Sequence, residues 1–212
     1  MTVRNAATMG TYGATWEAAG YCGSGNVSSL IGTLRGRSAV VCGAAETVFQ
    51  DMRILEKLHD PVIFAVNDVG MFLPKVDHFV SLHSDNIPAW KTVRWLHAKD
   101  REYTKYHAPD SRPYVDFVWD RLTPVFALSG YFAMQIAYIM GAELIILCGC
   151  TGDETRRFFD FNPRDNFFYG ADINGSGKGI REQLEKEMGR LPAFKMRVKS
   201  MSGWTREFFG GL

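Results

Sequence analysis

Apolar and polar positions along this chain follow two periods. SAVVCG (38–43), VIFAVND (62–68) and ELIILCG (143–149) are near-continuous apolar runs that end in glycine or in polar residues. Short runs of that kind, bounded by turn residues, mark strands buried on both faces of a parallel sheet. Between the first two, Val48, Met52, Leu55 and Leu58 recur at helical spacing and predict a helix from Thr47 to His59, which Pro61 stops. HFVSLHSD (78–85) predicts a third strand, with Val80 and Leu82 on one face and Ser81 and His83 on the other. A helical stretch to about Lys99 follows, then weaker strands at 102–107 and 114–119. A helix over 129–141, a long loop over 150–178, a charged helix over 179–191 and a last strand over 194–201 complete the series.

Strands alternating with helices predict an α/β fold, Rossmann-like, with a mostly parallel sheet flanked by helices. Residues 1–36 break the pattern. They hold seven glycines, no lysine and no clear periodicity, and read as an irregular Gly-rich N-terminal arm ahead of a nucleotide-binding domain at 37–212. Such an arm can pack against a neighbouring subunit, which is a route to a homo-oligomer.

Composition narrows the function classes. At 212 residues the chain suits one domain with an appended arm. Hydrophobic content of 46% and charged content of 22% are ordinary globular values and argue against disorder. A net charge of +1 argues against bulk nucleic-acid binding, while leaving room for a local basic pocket. No run approaches the ~18 apolar residues of a membrane span. The N-terminus lacks the apolar core of a signal peptide, so the expected location is cytoplasmic, with no membrane span. Cys22, Cys42, Cys148 and Cys150 lack a second cluster at zinc spacing; they read as buried free thiols, and no metal ligands are assigned.

In parallel α/β sheets, ligands sit at the carboxyl ends of strands, near the point where strand order reverses. The first such exit, CGAAET (42–47), carries only Gly43 of G-x-G-x-x-G, so a standard NAD or FAD fingerprint is absent. Its helix-start amides and the Thr47 hydroxyl can cradle a phosphate, or the turn is a plain strand–helix junction. Asn67 and Asp68 end the second strand. They can shape a turn or hydrogen-bond a base or ribose. His83 can act as a general base or play a structural part, with Asp85 beside it as a helix cap. NGSGKG (174–179) lacks the glycine and the hydroxyl of a phosphate-binding Walker loop, which leaves Lys178 as a simple phosphate contact. Arg156, Arg157, Arg164 and Tyr169, in the same aromatic loop, suit a phosphate or diphosphate. The alternative is a surface loop held down by Phe158, Phe159, Phe161, Phe167 and Phe168. Finally, the apolar helix SGYFAMQIAYIMG opens on Ser129 and Gly130. Serine suits an N-cap, whereas glycine is a poor helix former and suggests close approach of another group.

Together, VVCGAAET, VIFAVND and SGYFAMQIAYIMGAELIILCG resemble the Rossmann-like group that includes the bacterial sialyltransferases using CMP-sialic acid. The group also contains the archaeal hydroxymethylpterin pyrophosphokinase-like proteins of the DUF115 type. Bacteriophage proteins share the pattern, often ending in a stretch like SMSGWTREFFG (200–210). The likeness covers roughly residues 37–210, with the Ser-Gly helix as its most specific piece. It implies Gly43, Asn67, Ser129 and Gly130 as contacts to a CMP moiety. It implies a nucleotide- or nucleotide-sugar-binding transferase of glycosyltransferase type, with a small-molecule nucleotide ligand and no certain cofactor. The alternatives are a Mg-dependent pyrophosphokinase-like enzyme, with Asp153 and Glu154 as the metal carboxylates, or a non-catalytic phage interaction protein that keeps the fold.

The chain departs from the sialyltransferase pattern at three places. Gly-Asn-Gly-Pro-Ser becomes Gly43-Ala44-Ala45-Glu46-Thr47, and Gly-x-Asp becomes Gly149-Cys150-Thr151, with Asp153 two residues later. The family's catalytic histidine follows a loop glycine, but Ala171 follows Gly170 here and no histidine occurs after His107. A base for an acceptor hydroxyl would then be Asp153, His83 or Asp172.

Overall fold

The apolar runs become strands because each is covered on both sides. The structure is a computed structural model that describes residues 25–97, 104–111, 114–120, 122, 128–152 and 177–212. Its strands are β1 (Ser38–Cys42), β2 (Val62–Val66), β3 (His78–Val80), β4 (Lys105–Ala108), β5 (Phe117–Val118), β6 (Leu144–Cys148) and β7 (Val198–Ser200). Ala39, Val41, Phe64, Val66, Ile145 and Leu147 face one core. Val40, Cys42, Ile63, Ala65, Ile146 and Cys148 face a second. The helices are α1 (Val48–Asp51), α2 (Ile87–His97), α3 (Ser129–Ile139), α4 (Gly177–Arg190), α5 (Pro192–Met196) and α6 (Gly203–Phe209). α1 and α2 pack on the second core, and α3 packs on the first.

The strands pair in parallel, in the order β5-β4-β3-β2-β1-β6-β7. From β1 the chain works outward to β5, and α3 then carries it back to the far side of β1. Strand order therefore reverses between β1 and β6, where Cys42 and Cys148 are register partners. The Rossmann-like α/β architecture is as the sequence predicts.

α3 is apolar all round because it is covered all round. Tyr131 through Ile139 are buried, and Gly130 stands outside the buried set. Phe194 of α5 packs against Tyr131 and Tyr138, with ring centroids 6.2 and 4.7 Å apart. Val27, Leu30 and Leu34 join the same core, and Leu34 N–H donates to the Met140 carbonyl at 2.7 Å. Residues 25–36 of the predicted arm thus contribute buried side chains, each stabilising by about 1.5–3 kcal/mol. Residues 1–24 lie outside the described residues.

Several predicted boundaries move. The helix expected over Thr47–His59 is α-helical only to Asp51 and continues as 3-10 turns over Met52–Lys57. Asn67 and Asp68 belong to a 3-10 turn, Asn67–Met71, and the third strand stops at Val80. The last strand is shorter than 194–201, because Pro192 starts α5, where its fixed φ and missing N–H suit the first helical turn. α6 is an element the sequence pattern did not predict.

Candidate functional site

At the reversal point the carboxyl ends of β1 and β6 meet through glycines. A Cβ on Gly43 would collide with the Gly149 carbonyl and lie 2.7 Å from the Cys150 sulfur. A Cβ on Gly149 would lie 2.6 Å from the Gly43 carbonyl oxygen, and its φ of +62° favours glycine in any case. The Gly43 amide donates to Cys148 O (2.8 Å) and the Ala45 amide to Gly149 O (3.1 Å). These glycines therefore let two strand exits lock together.

Asp51, buried on α1, tightens the lock. Its Oδ2 accepts from the Gly149 amide (2.8 Å), the Ser202 hydroxyl (2.5 Å) and the Thr47 hydroxyl (3.0 Å). Thr47 Oγ1 also lies 2.9 Å from Ser202 Oγ. The hydroxyl that the sequence offered to a phosphate is thus engaged with Asp51 and Ser202.

Asn67, Ser81, His83 and Ser129 form a second group beside this lock. Asn67 sits at φ +56°, a left-handed conformation that asparagine tolerates better than most residues. Its side-chain oxygen accepts from the Ser81 hydroxyl at 2.8 Å, which leaves the amide nitrogen as a donor. Ser81 Oγ in turn accepts from the His83 amide at 2.8 Å. One residue along, the Leu82 amide donates to Ser129 Oγ at 3.3 Å. Ser129 is the first residue of α3 rather than its N-cap; Leu128 occupies that position, and no side-chain cap forms. The His83 side chain is exposed at the strand exit, and Asp68 is buried in the turn after β2.

Gly130 differs from the other glycines here. Among the described residues a Cβ on it would meet only the Cys150 sulfur, at 3.9 Å. Among the described residues, packing therefore does not demand a glycine at the start of α3, where Cys150 is the neighbour on the side of the β6 exit. Cys150, which the sequence analysis reads as a buried free thiol, lies between Gly43 and Gly130. It is half-buried, and its surroundings push the thiol up to about 12, chiefly through loss of water, with a Gly43 backbone hydrogen bond opposing. Cys42 and Cys148 are fully buried, with thiols pushed up by the same loss of water.

The structure thus gathers Gly43, Asn67, Ser129 and Gly130 at one edge of the sheet, with His83 exposed nearby. Asp153, Asp172, Arg156, Arg157, Arg164 and Tyr169 lie outside the described residues, as does the side chain of Lys178. The flanks of that segment do meet: Arg181 Nε–H donates to the Gly152 carbonyl at 3.1 Å. Among the described residues, no group of three or more His, Cys, Asp or Glu side chains is arranged to hold a metal ion. No described helix is long and apolar enough to cross a membrane.

No protein-family model and no curated protein matches the chain. Solved structures that share its fold include the sialyltransferase CstII from Campylobacter jejuni in complex with a substrate analogue, cytidine-5'-monophosphate. That protein has 15% identity to this chain and a TM-score of 0.54, over 84% of this chain and 85% of its own. The monofunctional alpha-2,3-sialyltransferase Cst-I from Campylobacter jejuni aligns at 14% identity with a TM-score of 0.58, over 82% of this chain and 80% of its own. A CstII structure with trisaccharide acceptor and CMP aligns at 14% identity with a TM-score of 0.54, over 82% and 86%. At these identities the likeness is one of fold.

Proposed function

We propose that the chain binds a nucleotide, of the cytidine type, at the carboxyl edge of β1, β2, β3 and β6. In this reading it is a nucleotide-sugar-using transferase of glycosyltransferase type. The observation that carries the reading is Gly130, a glycine at a helix start that no described neighbour requires. A glycine helix start beside the hydrogen-bonding groups of Asn67 and Ser129 suits a ribose or base lying against the backbone. The shared fold with a CMP-bound structure supports the choice of a cytidine nucleotide.

In this proposal Gly43 and Gly130 bound the space, Asn67 offers an amide donor, and Ser129 and Asp68 shape the rim. Thr47 then contributes through Asp51 and Ser202 rather than by direct contact. Arg156, Arg157, Arg164, Tyr169 and Lys178 would supply the phosphate contacts, and Asp153, Asp172 or His83 the base for an acceptor hydroxyl.

A thermal-shift series with CMP, UDP, GDP and ATP, each with and without Mg²⁺, tests the reading. CMP at a hundredfold excess over its Kd is expected to stabilise the protein by about 2.7 kcal/mol, a rise of several degrees in Tm. No shift with any nucleotide would overturn the proposal. A shift confined to ATP with Mg²⁺ would replace it with pyrophosphoryl transfer.

A further inference from the structure

The floor of the crevice is held by groups outside the proposed contacts. From Gly149 to Gly152 each backbone carbonyl has a named donor. Ala45 N–H reaches Gly149 O (3.1 Å), the Thr205 hydroxyl reaches Cys150 O (2.7 Å), Thr205 N–H reaches Thr151 O (3.0 Å), and Arg181 Nε–H reaches Gly152 O. Two of these four donors belong to one buried residue on α6.

The Thr205 hydroxyl has one proton, and giving it to Cys150 O leaves lone pairs free to accept from Ser200 Oγ, 2.8 Å away. Ser200 is itself buried, so the hydroxyl is oriented from behind. At the start of the same helix, Ser202 donates to Asp51, the carboxylate that also holds the Gly149 amide. α6 therefore grips the β6 exit twice, through Asp51 and through Thr205. A buried carbonyl that loses its donor must stay unsatisfied or shift to find another. A shift at Cys150 would move the sulfur that faces both Gly43 and Gly130.

We propose that Thr205 is a positioning residue for this crevice: by holding the Cys150 and Thr151 carbonyls from α6, it sets where Cys150 lies between Gly43 and Gly130, and hence the space left for a nucleotide. Its effect on binding rests on the nucleotide reading above. The placement of Cys150 does not.

Thr205→Val keeps the side-chain shape and removes the hydroxyl, whereas Thr205→Ser keeps the hydroxyl. Alkylation by iodoacetamide at each thiol is followed by peptide mass spectrometry, and CMP affinity by calorimetry, both well below the Tm of each variant. T205V is expected to raise the Cys150 alkylation rate about tenfold, to leave Cys42 and Cys148 protected, and to weaken CMP about tenfold. T205S should return both readouts to within about twofold of the parent protein.

An unchanged Cys150 rate in T205V overturns the proposal. So does an equal rise at Cys42 and Cys148, which reports a loosened fold rather than a displaced loop. If the parent protein binds no CMP, the nucleotide reading falls and the Cys150 rate alone decides the positioning role. If T205V does not fold, Ser200→Ala removes only the group behind the Thr205 hydroxyl. It should raise the Cys150 rate by about threefold, and an unchanged rate there overturns the proposal equally.

Discussion

The indole N–H of Trp119 donates to Nδ1 of His107 at 3.0 Å. That bond fixes the proton pattern of a buried histidine pair. With Nδ1 accepting, a neutral His107 carries its proton on Nε2, which donates to His78 Nδ1 at 2.8 Å. Both rings are stacked, His78 on Phe64 and His107 on Phe117, and both are buried. The His107 carbonyl also receives the Ser81 amide, which links the pair to the strand exit that carries Asn67.

Acid should therefore unfold the protein through these two rings. Burial, with Lys105 and Arg37 adding positive charge nearby, lowers His78 to about 3; burial and its neighbours also hold His107 well below the usual histidine value. The unfolded chain has the ordinary value near 6.5, so it binds more protons than the folded one below that pH. The stabilisation is complete above about pH 6.5 and is lost progressively as pH falls toward 3. At pH 5 His78 alone accounts for a loss of roughly 2 kcal/mol relative to pH 8, and His107 shifts stability in the same direction. Urea midpoints measured from pH 8 to 5 should fall accordingly, and nitrogen NMR shifts should show both rings protonated on Nε2 at neutral pH. A flat profile rules the account out.

Two glycines at the same edge should respond in opposite ways. Gly43→Ala places a methyl against the Gly149 carbonyl and should destabilise by about 2 kcal/mol or more. Gly130→Ala makes only an ordinary contact with the Cys150 sulfur among the described residues and should leave Tm unchanged or raise it, by up to about 1 kcal/mol in stability. If a nucleotide lies against that helix start, G130A should still weaken CMP about tenfold by calorimetry. Parent-like CMP binding in G130A would remove Gly130 from the site.

Asp51→Ala should be among the most damaging changes to stability outside the hydrophobic core. It leaves the Gly149 amide without its acceptor and frees two hydroxyls, at a cost of about 3 kcal/mol. Asp51→Asn retains one acceptor oxygen and should cost less, so the order of the chemical denaturation midpoints is parent, D51N, D51A. Equal midpoints for D51A and the parent would show that the β6 exit is held without this carboxylate.

Arg94 is a fully buried guanidinium on α2, and it should not be replaceable by lysine. It donates to the Gly70 and Leu73 carbonyls at 2.8 and 2.9 Å and to Thr104 Oγ1 at 3.2 Å. A lysine ammonium is a point charge that cannot reproduce this planar fork. Arg94→Lys should cost about 2–3 kcal/mol, read from the urea midpoint, with a larger loss for Arg94→Ala. Because Gly70 lies in the turn that begins at Asn67, R94K should also raise hydrogen exchange over residues 67–73.

Features set by local pattern were legible from sequence. β1, β2, β6 and α3 follow from apolar runs and spacing, because each is buried by its own composition. Gly130 stood out because a glycine in a helix start has no local purpose. Asp51, Thr205 and Arg94 were silent, since their meaning depends on partners 98, 55 and 24 residues away. α6 was missed for a related reason. Only Thr205 and Phe209 are buried in it, too little for a periodic signal over seven residues. Thr47 has a hydroxyl legible as a ligand group, but its partners Asp51 and Ser202 depend on the fold and are not legible locally.

Cys42 and Cys148, the last residues of the two strands flanking the reversal point, are register partners separated by the whole outward run of the sheet. Joining them closes a loop of about a hundred residues, for which chain entropy costs roughly 4 kcal/mol before any contact repays it. That makes their union a slow, late event, typical of parallel sheets. The proposed site has no existence before that step, so acquiring the fold and acquiring that proposed site are one kinetic event.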